Sequence, residues 1–306
     1  MKSEIPLVIL GGKDKDPKKF ETSQKIHRRN NSHTLTGYKL VDNEINGKPA
    51  GQTLVNVLRQ SECFGEIYLA GPKRVYKSKI DCNFIDTDSS LGGNILKSIG
   101  YMVREYDNDV QFGIVLGDIL PNVLEMGGFM KQVEPYLGAD FIHTLIEKTE
   151  DMGNSSYKPG YKLFDHQHKK KEYLGGHILF VRPGNLRTEF VSMLSSVFYD
   201  VRCKSPEEKF SSILRSRDEF RTHKDAFKET VPYLFYSLLR YKLRDFSIHQ
   251  GEKYLTHMMV KKSHRLDSDD KHVRILTFPE EFASLAEDYD TLEELEGLKV
   301  RFQKTS

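Results

Sequence analysis

Asp118 stands at the end of Val110 to Gly117, the strongest strand signal in the chain. A carboxylate in that position is desolvated unless a cation meets it, and a hard cation such as Mg²⁺ takes oxygen ligands. The competing role is an N-cap for a helix beginning after Pro121. A second acidic group, Asp288-Tyr289-Asp290, lies far downstream and puts both carboxylates on one face at a period of two. Capping competes here too, because Asp290 precedes Thr291-Leu292-Glu293-Glu294. One aspartate and a distant acidic pair together make the divalent-cation clamp that phosphoryl and nucleotidyl transfer require.

Such chemistry needs a place for phosphates, and Ile5 to Lys13 reads I-P-L-V-I-L-G-G-K. An aliphatic run too short for a helix empties into two glycines and a lysine. Glycines let backbone N–H groups approach a polyphosphate, and Lys13 adds point charge. The expectation is a nucleoside triphosphate on this loop. Lys15 to Thr34 follows without period, and reads either as a solvated loop or as a lid whose Lys18, Lys19, Lys25, Arg28 and Arg29 close over phosphates. Farther on, Asp86-Thr87-Asp88-Ser89-Ser90 leads to a helix expected near Asn94. Its serines and aspartates are capping residues, and its positive end suits an anion or a polar base edge. His166 and His168 read as solvated side chains rather than metal ligands.

The elements that must hold these groups come in a regular order. Strands are expected at the N-terminal run, Glu66–Ala70, Asn83–Asp86, Val110–Gly117, Ala139–Leu145 and Gly175–Arg182. Helices with Leu54, Val55 and Leu58, with Ile95, Ile99 and Met102, and with Met126, Phe129, Met130 and Val133 fall between them. Tyr38–Pro49 reads as a hairpin turning at Asn46-Gly47. Alternation of strand and helix predicts a three-layer, Rossmann-like, mostly parallel sheet, with ligands beyond the carboxyl ends of its strands. Gly11-Gly12, Gly71 and Asp118 all fall there. From Ser205 the chain turns helical, and strand character resumes at Val273–Phe278 and Phe282–Ala286 before a closing helix at Thr291–Glu296. The expected organisation is a core over 1–203, a helical subdomain over 204–271 and a completing segment over 272–306.

Composition sets the remaining bounds. The 306 residues are 38% hydrophobic with a formal charge of +2, enough for a large core and too balanced to argue for a polyanionic partner. Basic stretches lack interleaved stacking aromatics, so no nucleic acid is expected. Three dispersed cysteines suit a reducing compartment. With no signal-like start and no apolar run near the ~20 residues of a membrane span, the expectation is a cytoplasmic protein without membrane contact.

Several of these segments also carry a resemblance. Leu10–Pro17, L-G-G-K-D-K-D-P, resembles the L-x-G-G-[RK]…D-P loop of the MobA-like nucleotidyltransferases, the group related to molybdenum cofactor guanylyltransferase on a glycosyltransferase-A-type fold. Y-K-L-V-D-N-E-I-N-G-K-P is similar to that group's K-x-L…G-x-P element and marks Lys39. V-L-G-D-I-L-P resembles its metal-binding G-D-x-P, with Asp118 and Pro121 in place. Asp288–Leu295 resembles its closing D-x-D-T/K-x-E-D-L motif, and Gly175-Gly176-His177 stands where G-G-N is usual. The chain departs at three points: Lys13, or later Arg28 or Arg29, replaces an arginine, His177 an asparagine, and Glu294 an aspartate.

The resemblance implies transfer of a nucleoside monophosphate from an NTP to a small phosphorylated acceptor, with pyrophosphate released. Leu10, Gly11, Gly12 and Lys13 would hold the phosphates, and Gly71, Lys73 and Asn94 would border the base. Asp118 with Asp288 or Asp290 would hold Mg²⁺, while Lys39 neutralises the phosphate in flight. Two other readings stay open. One is a glycosyltransferase taking a nucleotide sugar and using Asp86-Thr87-Asp88 for its metal. The other is a non-catalytic nucleotide-binding protein.

Overall fold

The computed structural model describes residues 5–12, 33–148, 160–187, 190, 233, 245–267 and 272–305. Within them runs an eight-stranded sheet with helices on both faces. Its strands are β1 (Leu7–Leu10), β4 (Ile67–Gly71), β5 (Asn83–Asp86), β6 (Phe112–Leu116), β7 (Phe141–Glu147), β8 (Tyr161–Phe164), β9 (Lys170–Val181) and β10 (Val273–Phe278). The order is β10-β7-β9-β6-β1-β4-β5, with β8 paired to β9. β1 is central and parallel to both β4 and β6, β5 is parallel to β4, and β10 to β7. Only β9 runs against its neighbours β6, β7 and β8. This is the mixed, mostly parallel, three-layer α/β sheet that the alternating pattern predicts.

Burial explains why β1 lies in the middle. Leu7, Val8, Ile9 and Leu10 are all buried, so both faces of the strand must be covered. On one face, α2 (Ala50–Gln60) brings Leu54, Val55 and Leu58, and α5 (Val123–Val133) brings Met126, Phe129, Met130 and Val133. On the other, α4 (Leu91–Glu105) contributes Ile95, Ile99 and Met102, and α6 (Ile248–Met259) contributes Met258 and Met259. Those of α2, α4 and α5 are the ones whose helical spacing is visible in the sequence. Among the described residues, no helix is long and apolar enough to cross a membrane.

Two expected strands are something else. Lys39–Asp42, expected as the first arm of a hairpin, is the single-turn helix α1, with Leu40 and Val41 buried against α2. The hairpin itself is confined to β2 (Glu44–Ile45) and β3 (Lys48–Pro49). Its turn is at Asn46-Gly47, with φ of 52° and 74°, the left-handed pair that a two-residue hairpin loop needs. Phe282–Ala286, expected as a strand, falls on a 3₁₀ helix, Glu280–Leu285, which buries Phe282 and Leu285 on the sheet. α3 (Lys73–Tyr76) follows β4, and α7 (Leu292–Thr305) closes the described chain. Most of the expected helical subdomain and the whole lid sequence up to Asn31-Ser32 lie outside the described residues.

Candidate functional site

The carboxyl ends of β1 and β6 lie side by side, and each delivers its polar residues to the same rim. Asp118 follows β6. The N-cap of α5 is Asn122, whose side chain accepts from Glu125 N–H at 2.8 Å, so Asp118 does not cap that helix. The C-terminal segment is brought to the rim by backbone: Tyr289 N–H donates to the Asp118 carbonyl at 3.0 Å. Tyr289 is buried with Leu295 and Leu298 against Ile45 and Leu120, which fixes the approach of its two acidic neighbours.

Capping of α7 is also handled by other residues. Glu294 N–H donates to Thr291 Oγ1 at 3.2 Å, and Glu294 Oε2 accepts from the N–H groups of Asp290 and Thr291. This reciprocal box explains the glutamate at 294 and leaves the Asp290 carboxylate directed at the rim. Ligand oxygens of Asp118, Asp288 and Asp290 lie within 4.8 Å of one another. Asp288 is only 2% exposed.

Into this acidic group α1 directs Lys39. Its ammonium donates to Asp118 Oδ2 at 3.1 Å and to Asp290 Oδ1, and lies 6.0 Å from the centre of the Tyr289 ring. Burial alone would pull the lysine pKa down. Asp118, Asp290 and Asp288 outweigh that and raise it well above the ordinary value. Burial and then Asp118 push the Tyr289 phenol up. All the donor atoms of Asp118, Asp288 and Asp290 are hard oxygens, so the group fits a divalent cation of the Mg²⁺ type.

The glycine loop divides its labour. Gly11 N–H donates to the Ala70 carbonyl at 2.8 Å, and the Leu10 carbonyl accepts from Gly117 N–H at 3.1 Å, so both residues continue the sheet ladder. A Cβ on Gly11 would meet Leu40, Leu69 and Tyr76 at 3.1 to 3.2 Å. One on Gly71 would lie 2.5 Å from the Tyr76 ring and 2.7 Å from the Gly11 carbonyl. Both glycines therefore make room for Tyr76, which is fully buried. Gly12 is exposed, and among the described residues a Cβ there would meet only Asn94 Nδ2, at 3.6 Å. Lys13 lies outside the described residues, as do Arg28 and Arg29.

Across β4, Lys73 is exposed, and its N–H donates to Asp86 Oδ1 at 2.9 Å. Asp88 sits 3.6 Å from Arg74. Thr87 is buried, its hydroxyl on the Asn94 side chain. Asp86 and Asp88 thus serve the loop itself. His166 and His168 are exposed on the turn between β8 and β9, where Asp165 accepts from the N–H groups of Gln167 and Lys169. His177, on β9, is near His143 of β7; burial and then His177 lower the His143 pKa to about 4. His143 carries no motif, and only the strand pairing makes it visible.

No protein-family model and no curated protein sequence matches this chain. Solved structures do. A hypothetical transferase from Thermus thermophilus superposes with a TM-score of 0.54 at 14% identity, over 96% of this chain and 100% of that one. CMP:2-keto-3-deoxy-manno-octonic acid synthetase complexed with CTP superposes at 0.51 and 10% identity, over 99% and 100%. At these identities the likeness establishes the fold, which is of the nucleotide-diphospho-sugar transferase type.

Proposed function

We propose that this chain is a MobA-like nucleotidyltransferase of the cytoplasm, moving an NMP from an NTP to a small phosphorylated acceptor with release of pyrophosphate. One observation carries the reading. Asp118 and Asp290 meet Lys39 from positions 79 and 251 residues away, with Asp288 in the same group, at the rim where Gly12 is exposed. That a solved structure of the same fold is described as complexed with CTP is consistent with this reading.

In this proposal Gly12 and Lys13 receive the β- and γ-phosphates, with Leu10 and Gly11 fixing the loop beneath them. Gly71, Lys73 and Asn94 border the base. Asp118, Asp288 and Asp290 hold Mg²⁺, which when bound supplies charge neutralisation at the α-phosphate. Lys39 brings a permanent positive charge to the same place. An acceptor phosphate is already nucleophilic, so the residues need only position the two substrates and offset charge. We keep 204–271 as a helical insertion and 272–306 as the segment that completes the core over 1–203.

The test is pyrophosphate release on mixing the protein with each NTP, Mg²⁺ and a panel of sugar phosphates. Release that requires both substrates and disappears in Asp118→Asn supports the proposal. Transfer of a sugar from a nucleotide sugar, with no pyrophosphate, moves the chain to the glycosyltransferases.

A further inference from the structure

The acidic segment at the rim is also held by a strip of chain outside the site described above. His33, Thr34 and Leu35 run antiparallel to Asp290, Thr291 and Leu292, with Thr34 opposite Thr291. Leu35 N–H donates to the Asp290 carbonyl and Leu292 N–H to the His33 carbonyl, both at 2.9 Å. Glu293 closes the end of this ladder. Its Oε2 accepts from His33 N–H at 2.9 Å, and its Oε1 lies 2.7 Å from His33 Nδ1. His33 and Glu293 are 260 residues apart, so no local turn brings them together.

The ladder bears on Asp290 in particular. Tyr289 N–H is on the Asp118 carbonyl and Asp290 N–H on Glu294, and Leu35 takes the Asp290 carbonyl. Shortly after Leu35 comes Lys39, whose ammonium meets the Asp290 carboxylate. One short run, His33 to Lys39, therefore grips the same aspartate by its backbone and by its side chain. Two backbone bonds alone make a marginal ladder, and a carboxylate using both oxygens holds its outer end shut. His33 and Glu293 are 81% and 45% exposed, so their pairing adds little to the stability of the fold. A cation site is more demanding, because its oxygens must keep their places to about 0.2 Å.

We propose that Glu293 is a positioning residue for the acidic group. By holding His33 it keeps Leu35 on the Asp290 carbonyl, and so sets how tightly the three carboxylates hold a divalent cation. This rests on the reading that Asp118, Asp288 and Asp290 bind that cation. Glu293 itself touches neither cation nor substrate.

The test uses the full chain and Mn²⁺ as the probe, with binding read from loss of the free Mn²⁺ EPR signal and no nucleotide present. Wild type is compared with Glu293→Ala, Glu293→Gln, His33→Ala and Glu296→Ala. Substituting a direct partner of a metal-holding carboxylate typically costs about 10–100-fold in affinity. Glu293 acts one contact farther out, so Glu293→Ala is expected to weaken Mn²⁺ by about three- to tenfold. Glu293→Gln keeps an oxygen for the His33 N–H and stays closer to the wild type. His33→Ala approaches the pair from the other side and shifts binding in the same direction. Glu296, which pairs with Lys299 at 2.8 Å on the same helix, is the control for lost charge, and its variant binds as the wild type does. In pyrophosphate release, the Mg²⁺ needed for half-maximal rate rises in Glu293→Ala while kcat at saturating Mg²⁺ holds. The inference is overturned if folded Glu293→Ala and His33→Ala bind Mn²⁺ like the wild type. It is equally overturned if Glu293→Gln or Glu296→Ala falls as far as Glu293→Ala, because the loss then follows charge and not position. Folded wild type that binds no Mn²⁺ removes the cation site itself, and with it the proposed function as well as this inference.

Discussion

The ammonium of Lys39 lies 3.1 Å from Asp118 Oδ2, with both side chains about a quarter exposed. Without that ammonium, Asp118 loses its cation in a group that also holds Asp288 and Asp290. Lys39→Met is expected to lower stability by about 1–3 kcal/mol, less than for a fully buried pair because solvent screens the charges. Added Mg²⁺ is then expected to raise the melting temperature more in Lys39→Met than in the wild type, since a bound cation substitutes for the lost one. The raised lysine pKa places its pH effect at alkaline values. Its stabilisation is complete below the ordinary 10.5 and is lost as pH rises through the folded value. Melts with and without Mg²⁺ check this; equal metal responses in the two proteins would count against it.

Gly71, at the end of β4, and Gly12, beyond β1, separate structure from binding. Gly71→Ala would drive a methyl group into the Tyr76 ring and the Gly11 carbonyl, and one of those atoms is backbone. Overpacking of that kind is expected to cost about 1–3 kcal/mol in denaturant unfolding. Among the described residues Gly12→Ala meets only the Asn94 amide, at ordinary contact distance, so its unfolding midpoint is expected to match the wild type while nucleotide affinity falls. If Gly12→Ala unfolds early and binds normally, the assignment of the open glycine is reversed.

Tyr76 supplies a third test. Its hydroxyl is buried and has no hydrogen-bond partner among the described residues. Its ring packs edge-on against Tyr38, with centroids 5.8 Å apart. Burial, followed by Tyr38 and Asp42, pushes the phenol pKa up, so the group stays neutral. Tyr76→Phe keeps the ring that Gly11 and Gly71 accommodate and removes the unsatisfied group. The variant is expected to gain about 1 kcal/mol, read as a higher denaturation midpoint with unchanged slope. A loss of stability would mean that the hydroxyl is hydrogen-bonded in solution.

These residues also show what a sequence can and cannot disclose. β1 and β6 are legible because strands buried on both faces must be apolar throughout, and Asp118 is legible because it interrupts such a run. The acidic pair at Asp288 and Asp290 stands out by spacing. That these groups share one lysine is not legible, because the Lys39 contacts span 79 and 251 residues and leave no local pattern. α1 is a single turn, too short to show a helical period. The start of β9, Lys170 to Glu172, is polar because it pairs with β8 at a fringe of the sheet, where Lys148 with Glu172 and Lys171 with Glu147 replace apolar packing. Asn94 is visible as a residue near a helix start. The direction of its amide depends on Ser89 N–H, and only coordinates reveal that.

His143 gives the expected acid response of the fold. Its pKa falls from 6.5 to about 4 because burial penalises the imidazolium and His177 adds like charge. Between those values the unfolded chain binds a proton that the folded chain refuses, so ν for the unfolded state is larger and stability rises with pH. Acidification from pH 6.5 towards 4 should therefore cost stability, with His143 contributing up to about 1.4 kcal/mol for each pH unit. Below about 4 both states are protonated and the contribution levels off. His143→Gln removes the titration while keeping a polar side chain on β7 between Leu179 of β9 and Ile275 of β10. Urea midpoints at pH 6.5 and 4.5 are expected to diverge strongly in the wild type and less in the variant. Parallel pH dependence in the two proteins would show that His143 binds its proton as readily in the fold as in the unfolded chain.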